Sequence, residues 1–203
     1  MNVLIACEES QTECIAFRKR GHNAFSCDIQ NCSGGFPEWH VKGDVLEILN
    51  PINGKIAFTT CTGVRYEIPR WDMIIAHPPC TYLSVVGACN NEKDPLRIEK
   101  GFIAAEFFKK FLQAECDRIC VENPRPQARF NLPPKSQVIQ PYEFGEPWSK
   151  RTYLWLKGLP PLFPVLFVLD YNSFVACKCG SKARSKSFKG IAEAMAKQWG
   201  AYL

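Results

Sequence analysis

Apolar residues in the first thirty positions fall into short unbroken runs separated by polar turns. Asn2–Cys7 reads as a strand buried on both faces. The turn Glu8-Glu9-Ser10-Gln11 can cap a helix over Thr12–Arg20, where Cys14, Ile15 and Phe17 supply the apolar side and Gly21 the stop. Ala24–Cys27 is a second strand, ended by Asp28, and the three pieces make a βαβ unit of an α/β protein.

Further on, Cys32-Ser33-Gly34-Gly35 is a flexible loop, and Gly43-Asp44 opens a short piece carrying Val45, Leu46, Ile48 and Leu49. Lys55–Thr60 and Val64–Ile68 predict a hairpin. Met73–Ala76 is too short for a helix and suits a buried parallel strand, and Pro78-Pro79 must end it, which leaves Cys80 at the carboxyl edge of the sheet. Residues 81–94 are mostly small and polar and predict a mobile loop. Pro95–Cys116 predicts a long helix with Phe102, Ile103, Ala105, Phe107, Phe108, Phe111 and Leu112 on a broad apolar side. Arg118–Val121 is a strand ending at Glu122-Asn123-Pro124; Gln137–Gln140 and Thr152–Leu156 are two more. Residues 158–187 show no strong period, and Ser187–Leu203 predicts an amphipathic closing helix.

Composition sets bounds on this layout. The 203 residues suit one domain spanning 1–203, and 46% hydrophobic with 22% charged residues is ordinary for a globular protein. No apolar run is long enough to span a membrane, and MNVLIACEES lacks the basic region of a secretory signal, so the expected location is cytoplasmic. Eleven cysteines, odd in number and irregularly spaced, read as reduced thiols. Cys177-Lys178-Cys179 has no second pair or nearby histidine, so no metal site is expected. The net charge of +5 gathers at Lys178, Lys182, Arg184, Lys186 and Lys189, with Lys150-Arg151 and Arg125/Arg129 beside it. Such a cluster is either a solvated surface or a polyanion contact.

Three acidic positions suit a nucleoside ligand. Asp28 at a strand end can accept from ribose hydroxyls, Asp44 from an adenine amine, and Glu8 or Glu9 follows the first strand. Without a glycine fingerprint after that strand, a dinucleotide is disfavoured, whereas a cofactor lacking a phosphate chain remains open. Cys80 and Glu122 end two strands, and Arg151 is a candidate cation to lower the thiol's pKa. Partial burial would raise the pKa of Glu122 towards that of a proton donor. A thiolate adding to C6 of a pyrimidine, with an acid engaging N3 and the exocyclic amine, makes C5 nucleophilic.

In this order the pieces resemble the DNA cytosine-5 methyltransferases. Asp72–Cys80 is similar to the strand and Pro-Cys loop of the family's nucleophile, Val121-Glu122-Asn123-Pro124 to its Glu-Asn-Val, and Ser149–Tyr153 to its basic supporting strand. Lys189–Ala194 resembles its closing helix. The resemblance implies a Rossmann-like S-adenosylmethionine-dependent methyltransferase fold: a mostly parallel seven-stranded sheet with helices on both faces. It implies Cys80, Glu122 and Arg151 as catalytic residues. S-adenosylmethionine would lie against Cys7, Glu8, Asp28, Ile29, Asp44, Val45, Pro78 and Ala192. A cytosine flipped from DNA would meet Pro79, Asn123 and Lys150, with Lys182, Arg184 and Lys186 on the phosphate backbone. The chain departs from the family at Cys7-Glu8-Glu9-Ser10, where a Gly-rich turn is usual, and at Pro124, where valine is usual. Residues 158–187 form a reduced substrate-contact insert in place of a large target-recognition region. Two other readings stay open: modification of a free pyrimidine nucleotide, and a non-catalytic DNA- or partner-binding protein.

Overall fold

The unbroken apolar runs become the central strands of one sheet in the computed structural model, which describes residues 1–91, 94, 96–174 and 186–201. In chain order the elements are β1 (Asn2–Ala6), α1 (Thr12–Arg18), β2 (Asn23–Asp28), β3 (His40–Lys42), β4 (Ile56–Thr59), β5 (Arg65–Ile68) and β6 (Met73–Ala76). Then come α2 (Leu96–Leu112), β7 (Ile119–Pro124), β8 (Gln137–Ile139), β9 (Trp148–Ser149), β10 (Thr152–Lys157), β11 (Asn172–Ser173) and α3 (Lys189–Gln198). Seven strands form the main sheet in the order β3-β2-β1-β6-β7-β10-β8. All neighbours from β3 to β7 pair in parallel, and β10 runs antiparallel to both β7 and β8. The architecture is α/β with a mostly parallel mixed sheet, compatible with a Rossmann-like fold.

Strand alternation divides the core into two layers. Leu4, Ala6, Phe25, Ile74, Ala76, Ile119 and Val121 share one cluster with Ala105, Phe108 and Phe111 of α2 and with Phe58 and Trp71. Val3, Ile5, Ala24, Met73, Ile75 and Cys120 share the other with Cys14 and Phe17 of α1, Ile191 and Met195 of α3, and Trp199 just after it. Helices therefore cover both faces, and parallel strands sandwiched in this way need no polar side chains. That is why they read as continuous apolar runs.

Several boundaries differ from the expected ones for local reasons. α2 stops at Leu112, because Ala114 and Cys116 turn into the core and the Glu115 N–H donates to Asn50 Oδ1 at 2.8 Å. On the expected apolar side of α2, Phe102 and Ile103 are exposed. α3 begins only at Lys189 because Phe188 is extended, and it ends at Gln198, where the buried Trp199 donates from Nε1 to the Pro160 carbonyl. The hairpin forms as β4 and β5. β3 has no apolar run to announce it. Its His40 is buried through polar contacts, the ring bridging the Ser26 hydroxyl and the Gln30 carbonyl, each at 2.9 Å. No helix among the described residues is long and apolar enough to cross a membrane.

α3 is docked through Gly190. Its N–H donates to Glu146 Oε1 at 3.0 Å, and a Cβ there would fall on the Phe144 carbonyl oxygen. Backbone cannot give way as a flexible side chain would, so Gly190→Ala is expected to cost about 1–3 kcal/mol of stability. Urea denaturation measures it, and an unchanged midpoint would show that α3 tolerates displacement.

Candidate active site at the carboxyl edge of the sheet

β1, β2, β6 and β7 end on the same edge, and between β1 and β6 the strand order reverses direction. Open α/β sheets bind ligands at such a point. A cleft of about 340 Å³ opens there, lined from one end by Cys7, Glu8, Glu9, Ser10, Asp28 and Gln30. Its other end is lined by His77–Thr81, Glu122, Asn123, Pro124, Lys150, Lys186 and Ser187.

Each wall is held by its own local geometry. After β1 the chain turns through Cys7 at φ 59°, a left-handed conformation that glycine adopts freely and other residues seldom do. Glu8 then points inward. Its Oε1 accepts from the Glu13 N–H at 2.8 Å and its Oε2 from the Cys14 N–H at 3.4 Å, so within the expected capping turn it is Glu8 that caps α1. Glu9 is 8% exposed, and neither carboxylate oxygen has a hydrogen-bond partner among the described residues. Opposite, the Asn123 side-chain amide donates to the Pro78 carbonyl at 2.7 Å and ties the end of β7 to the loop carrying Cys80. Leu83 and Ser84 N–H groups donate to the Cys80 carbonyl at 3.1 and 2.9 Å.

The segment after Cys80 differs from the expected mobile loop. Gln127 donates to the Tyr82 and Ser84 carbonyls, the Val85 N–H donates to the Arg125 carbonyl, and Arg97 donates to the Thr81 carbonyl. Leu83 is fully buried beneath them, and Val85–Asn90 is a 3-10 helix. Side chains and backbone from outside this stretch hold its carbonyl and N–H groups, which a reading of its composition as flexibility overlooks.

Beneath Glu122 lies a group that sequence reasoning passed over. His77 Nδ1 is 3.1 Å from Glu122 Oε2, and Nε2 is 3.4 Å from Oε1 of Glu13, a residue only 1% exposed. Burial disfavours the imidazolium, but the Glu13 charge and the Glu122 hydrogen bond outweigh it, and the His77 pKa stands above the ordinary value. Burial likewise acts to raise the Glu122 pKa. The hydrogen bond from His77 and the Lys150 charge outweigh it, so this pKa lies below the usual carboxylate value. The sign is opposite to that expected from burial alone. The signal was in the sequence: an ionisable residue directly before Pro78-Pro79-Cys80. Farther in, burial and the Glu13 charge hold the Glu8 carboxyl well above its usual pKa.

The Cys80 thiol is pushed up by burial and by Glu122, and Lys150 opposes both. The cation facing it is therefore Lys150, whose Nζ also sits 5.7 Å from the Phe188 ring. Arg151 is exposed and lies outside the cleft lining. Lys150 and Thr152 line the site together, and Arg151 between them in the connection from β9 to β10 does not.

The remaining expected residues separate. Cys7, Glu8, Asp28, Pro78, Pro79, Asn123, Lys150 and Lys186 come together around the cleft. Ile29 is 75% exposed and lies outside the lining, while Asp44 caps the next 3-10 helix through a hydrogen bond from the Leu46 N–H. Val45 and Ala192 are core residues on opposite layers, outside the lining. Lys182, Arg184 and the Cys177-Lys178-Cys179 pair lie outside the described residues. No protein-family model matches the chain, and no curated protein does so either.

Proposed function

We propose that this chain is a compact methyltransferase that moves a methyl group from S-adenosylmethionine to C5 of cytosine in DNA through a covalent cysteine adduct. The observation that carries the reading is the convergence of Cys80, Glu122, Asn123 and Lys150 in one cleft, continuous with Asp28 and the turn after β1. The mostly parallel seven-stranded sheet, covered by helices on both faces, agrees with the architecture that the resemblance implies.

The residues present suit the cofactor. Cys7 takes the left-handed conformation for which a glycine would be the usual choice, so the turn after β1 keeps its shape without one. Asp28 ends β2 within the cleft, where a ribose acceptor belongs. Glu9 presents an unpartnered, nearly buried carboxylate suited to a ligand's ammonium group. When bound, S-adenosylmethionine supplies an electrophilic methyl group on a sulfonium.

The chain's own groups do the rest. The Cys80 sulfur adds to C6, and Glu122 engages N3 and the exocyclic amine, so that electron density gathers at C5. Lys150 favours the thiolate and the carboxylate alike. The Asn123 amide holds the Pro78 carbonyl and so keeps the nucleophile's loop against the end of β7. A cytosine within a duplex cannot reach this cleft, so the base must be flipped or single-stranded.

A free pyrimidine nucleotide is the second reading. It is favoured by residues 163–169 after β10, which present Phe163, Val165, Leu166, Phe167 and Leu169 to solvent. Labelled methyl donor incubated separately with duplex DNA, single-stranded DNA and dCMP, followed by nucleoside mass spectrometry, tests both. 5-Methylcytosine in DNA is the expected product; label in dCMP alone would transfer the proposal to the nucleotide, and label in neither would remove it.

A further inference from the structure

His77 takes no part in the steps above, yet its surroundings are built around it. Its N–H donates to the Ala6 carbonyl at 2.9 Å, which fixes the residue between β1 and the Pro78-Pro79-Cys80 loop. The ring then lies between two carboxylates from different elements, Glu122 of β7 at 3.1 Å and Glu13 of α1 at 3.4 Å. Glu13 is the more deeply buried, and its carboxylate lies between His77 Nε2, its ion-pair partner, and the Glu8 carboxyl, whose pKa is raised beside it. A carboxylate at that depth is costly to keep, and it is compensated by the imidazole on one side and by the Glu8 carboxyl on the other. A pit of about 20 Å³, room for one water-sized group, reaches from Glu13 past His77 to Glu122, Lys150 and Thr152.

We propose that Glu13, His77 and Glu122 form a buried proton relay in which His77 supplies the proton that Glu122 delivers to N3 of the target base. The inference rests on the reading of Glu122 as the group that engages N3. At rest the proton is on the imidazole, between two carboxylates. On addition, the Cys80 thiolate forms the S–C6 bond and the C5=C6 pair shifts towards the ring nitrogen. In the same step the His77 Nδ1–H bond breaks as its proton passes to Glu122, and Glu122 passes that one proton on to N3, ending as the carboxylate it was at rest. The thiolate's negative charge and the imidazolium's positive charge are consumed together, and the adduct is neutral. After C5 has been methylated, its proton leaves to solvent, the S–C6 bond breaks to return the thiolate, and the N3 proton passes back through Glu122 to His77. Glu13 is a positioning residue here: it touches no reacting atom and holds the imidazole charged and oriented.

Charged and titratable groups face His77 from every side. Glu13 comes from α1, with Glu8 behind it; Glu122 comes from β7; Lys150 precedes β10 and Lys186 precedes α3; Cys80 lies on its own loop. The carboxylates prevail over burial and Lys150, and the ring's raised pKa agrees with a resting imidazolium.

Two readouts on the intact chain test the relay. Nitrogen-15 NMR of histidine-labelled protein, free of substrate, is expected to show His77 titrating above His22, with assignment from His77→Asn and a lower midpoint in Glu13→Gln. In methyl transfer to DNA, the pH profile of kcat/KM should break at the same midpoint, and Glu13→Gln should move both together. His77→Asn should lower kcat about 100-fold or more with little change in KM, the effect of a lost proton-transfer group. A histidine midpoint unmoved by Glu13→Gln, or a rate profile that stays put while the midpoint moves, would overturn the relay alone. Absence of transfer by the native chain would overturn the methyltransferase reading and the relay with it.

Discussion

Cys80→Ala is expected to abolish methyl transfer to DNA while leaving the fold intact. The two halves of that result have separate causes. Cytosine C5 is a poor nucleophile until a group adds at C6, and among the described residues no other cleft group replaces a sulfur nucleophile: the second thiol of the described lining, Cys7, is on β1's turn, and burial and Asp28 push its pKa up strongly. Stability should hardly change, because Cys80 is partly exposed and its structural contacts run through its carbonyl, which alanine keeps. A direct readout is covalent capture on DNA carrying 5-fluorocytosine, where C5 has no proton to lose and the adduct persists. Native protein should form a denaturation-resistant complex and the variant none. Transfer retained by Cys80→Ala would take this thiol out of the reaction.

The thiol's setting explains why it needs help. Burial and Glu122 both act against ionisation, so little thiolate is present at neutral pH in the free protein. Lys150 is the compensating charge. Neutralising Glu122 by proton transfer from His77 would also remove the charge that most directly opposes the thiolate. The relay and the nucleophile are thereby coupled through one carboxyl group.

Much of this was legible in the chain because buried parallel strands leave a strong local signature. Asn2–Ala6 and Met73–Ala76 could hardly be anything but central strands, and their polar ends marked the edge where the cleft opens. β3 escaped notice because its burial depends on the His40 hydrogen bonds, which span fourteen residues to Ser26 and ten to Gln30 and leave no periodic trace. The exchange of Arg151 for Lys150 has a similar origin. Two adjacent basic residues are equivalent in composition, and only the path of the short connection between β9 and β10 decides which faces inward. Glu8, Glu13 and His77 illustrate the opposite problem. Each is an ordinary polar residue in its own segment, and the buried carboxylate–imidazole row exists only once α1, β6 and β7 are assembled.

Glu122→Gln is expected to slow transfer by about 10²–10⁴-fold, because the amide keeps the size and one acceptor of the carboxylate but cannot cycle a proton to N3. The same substitution should leave a stability signature with a defined pH window. Glu122 has its pKa lowered in the folded state, so its contribution is present above the unfolded value, 4.5, and is lost as pH falls through the folded one. His77 has its pKa raised, so its contribution is complete below the unfolded value, 6.5, and is lost as pH rises through the folded one. The pair is therefore fully formed between pH 4.5 and 6.5. Within that window the native chain should exceed Glu122→Gln by about 1–3 kcal/mol, a range set by a charged hydrogen bond whose members retain 12% and 19% of their side-chain exposure. Outside the window the difference should shrink at both ends. Thermal melts of the two proteins from pH 3 to pH 9 read this directly. A difference that is flat across the range would mean that Glu122 and His77 are neutral partners, and that the proton proposed to reach N3 does not rest between them.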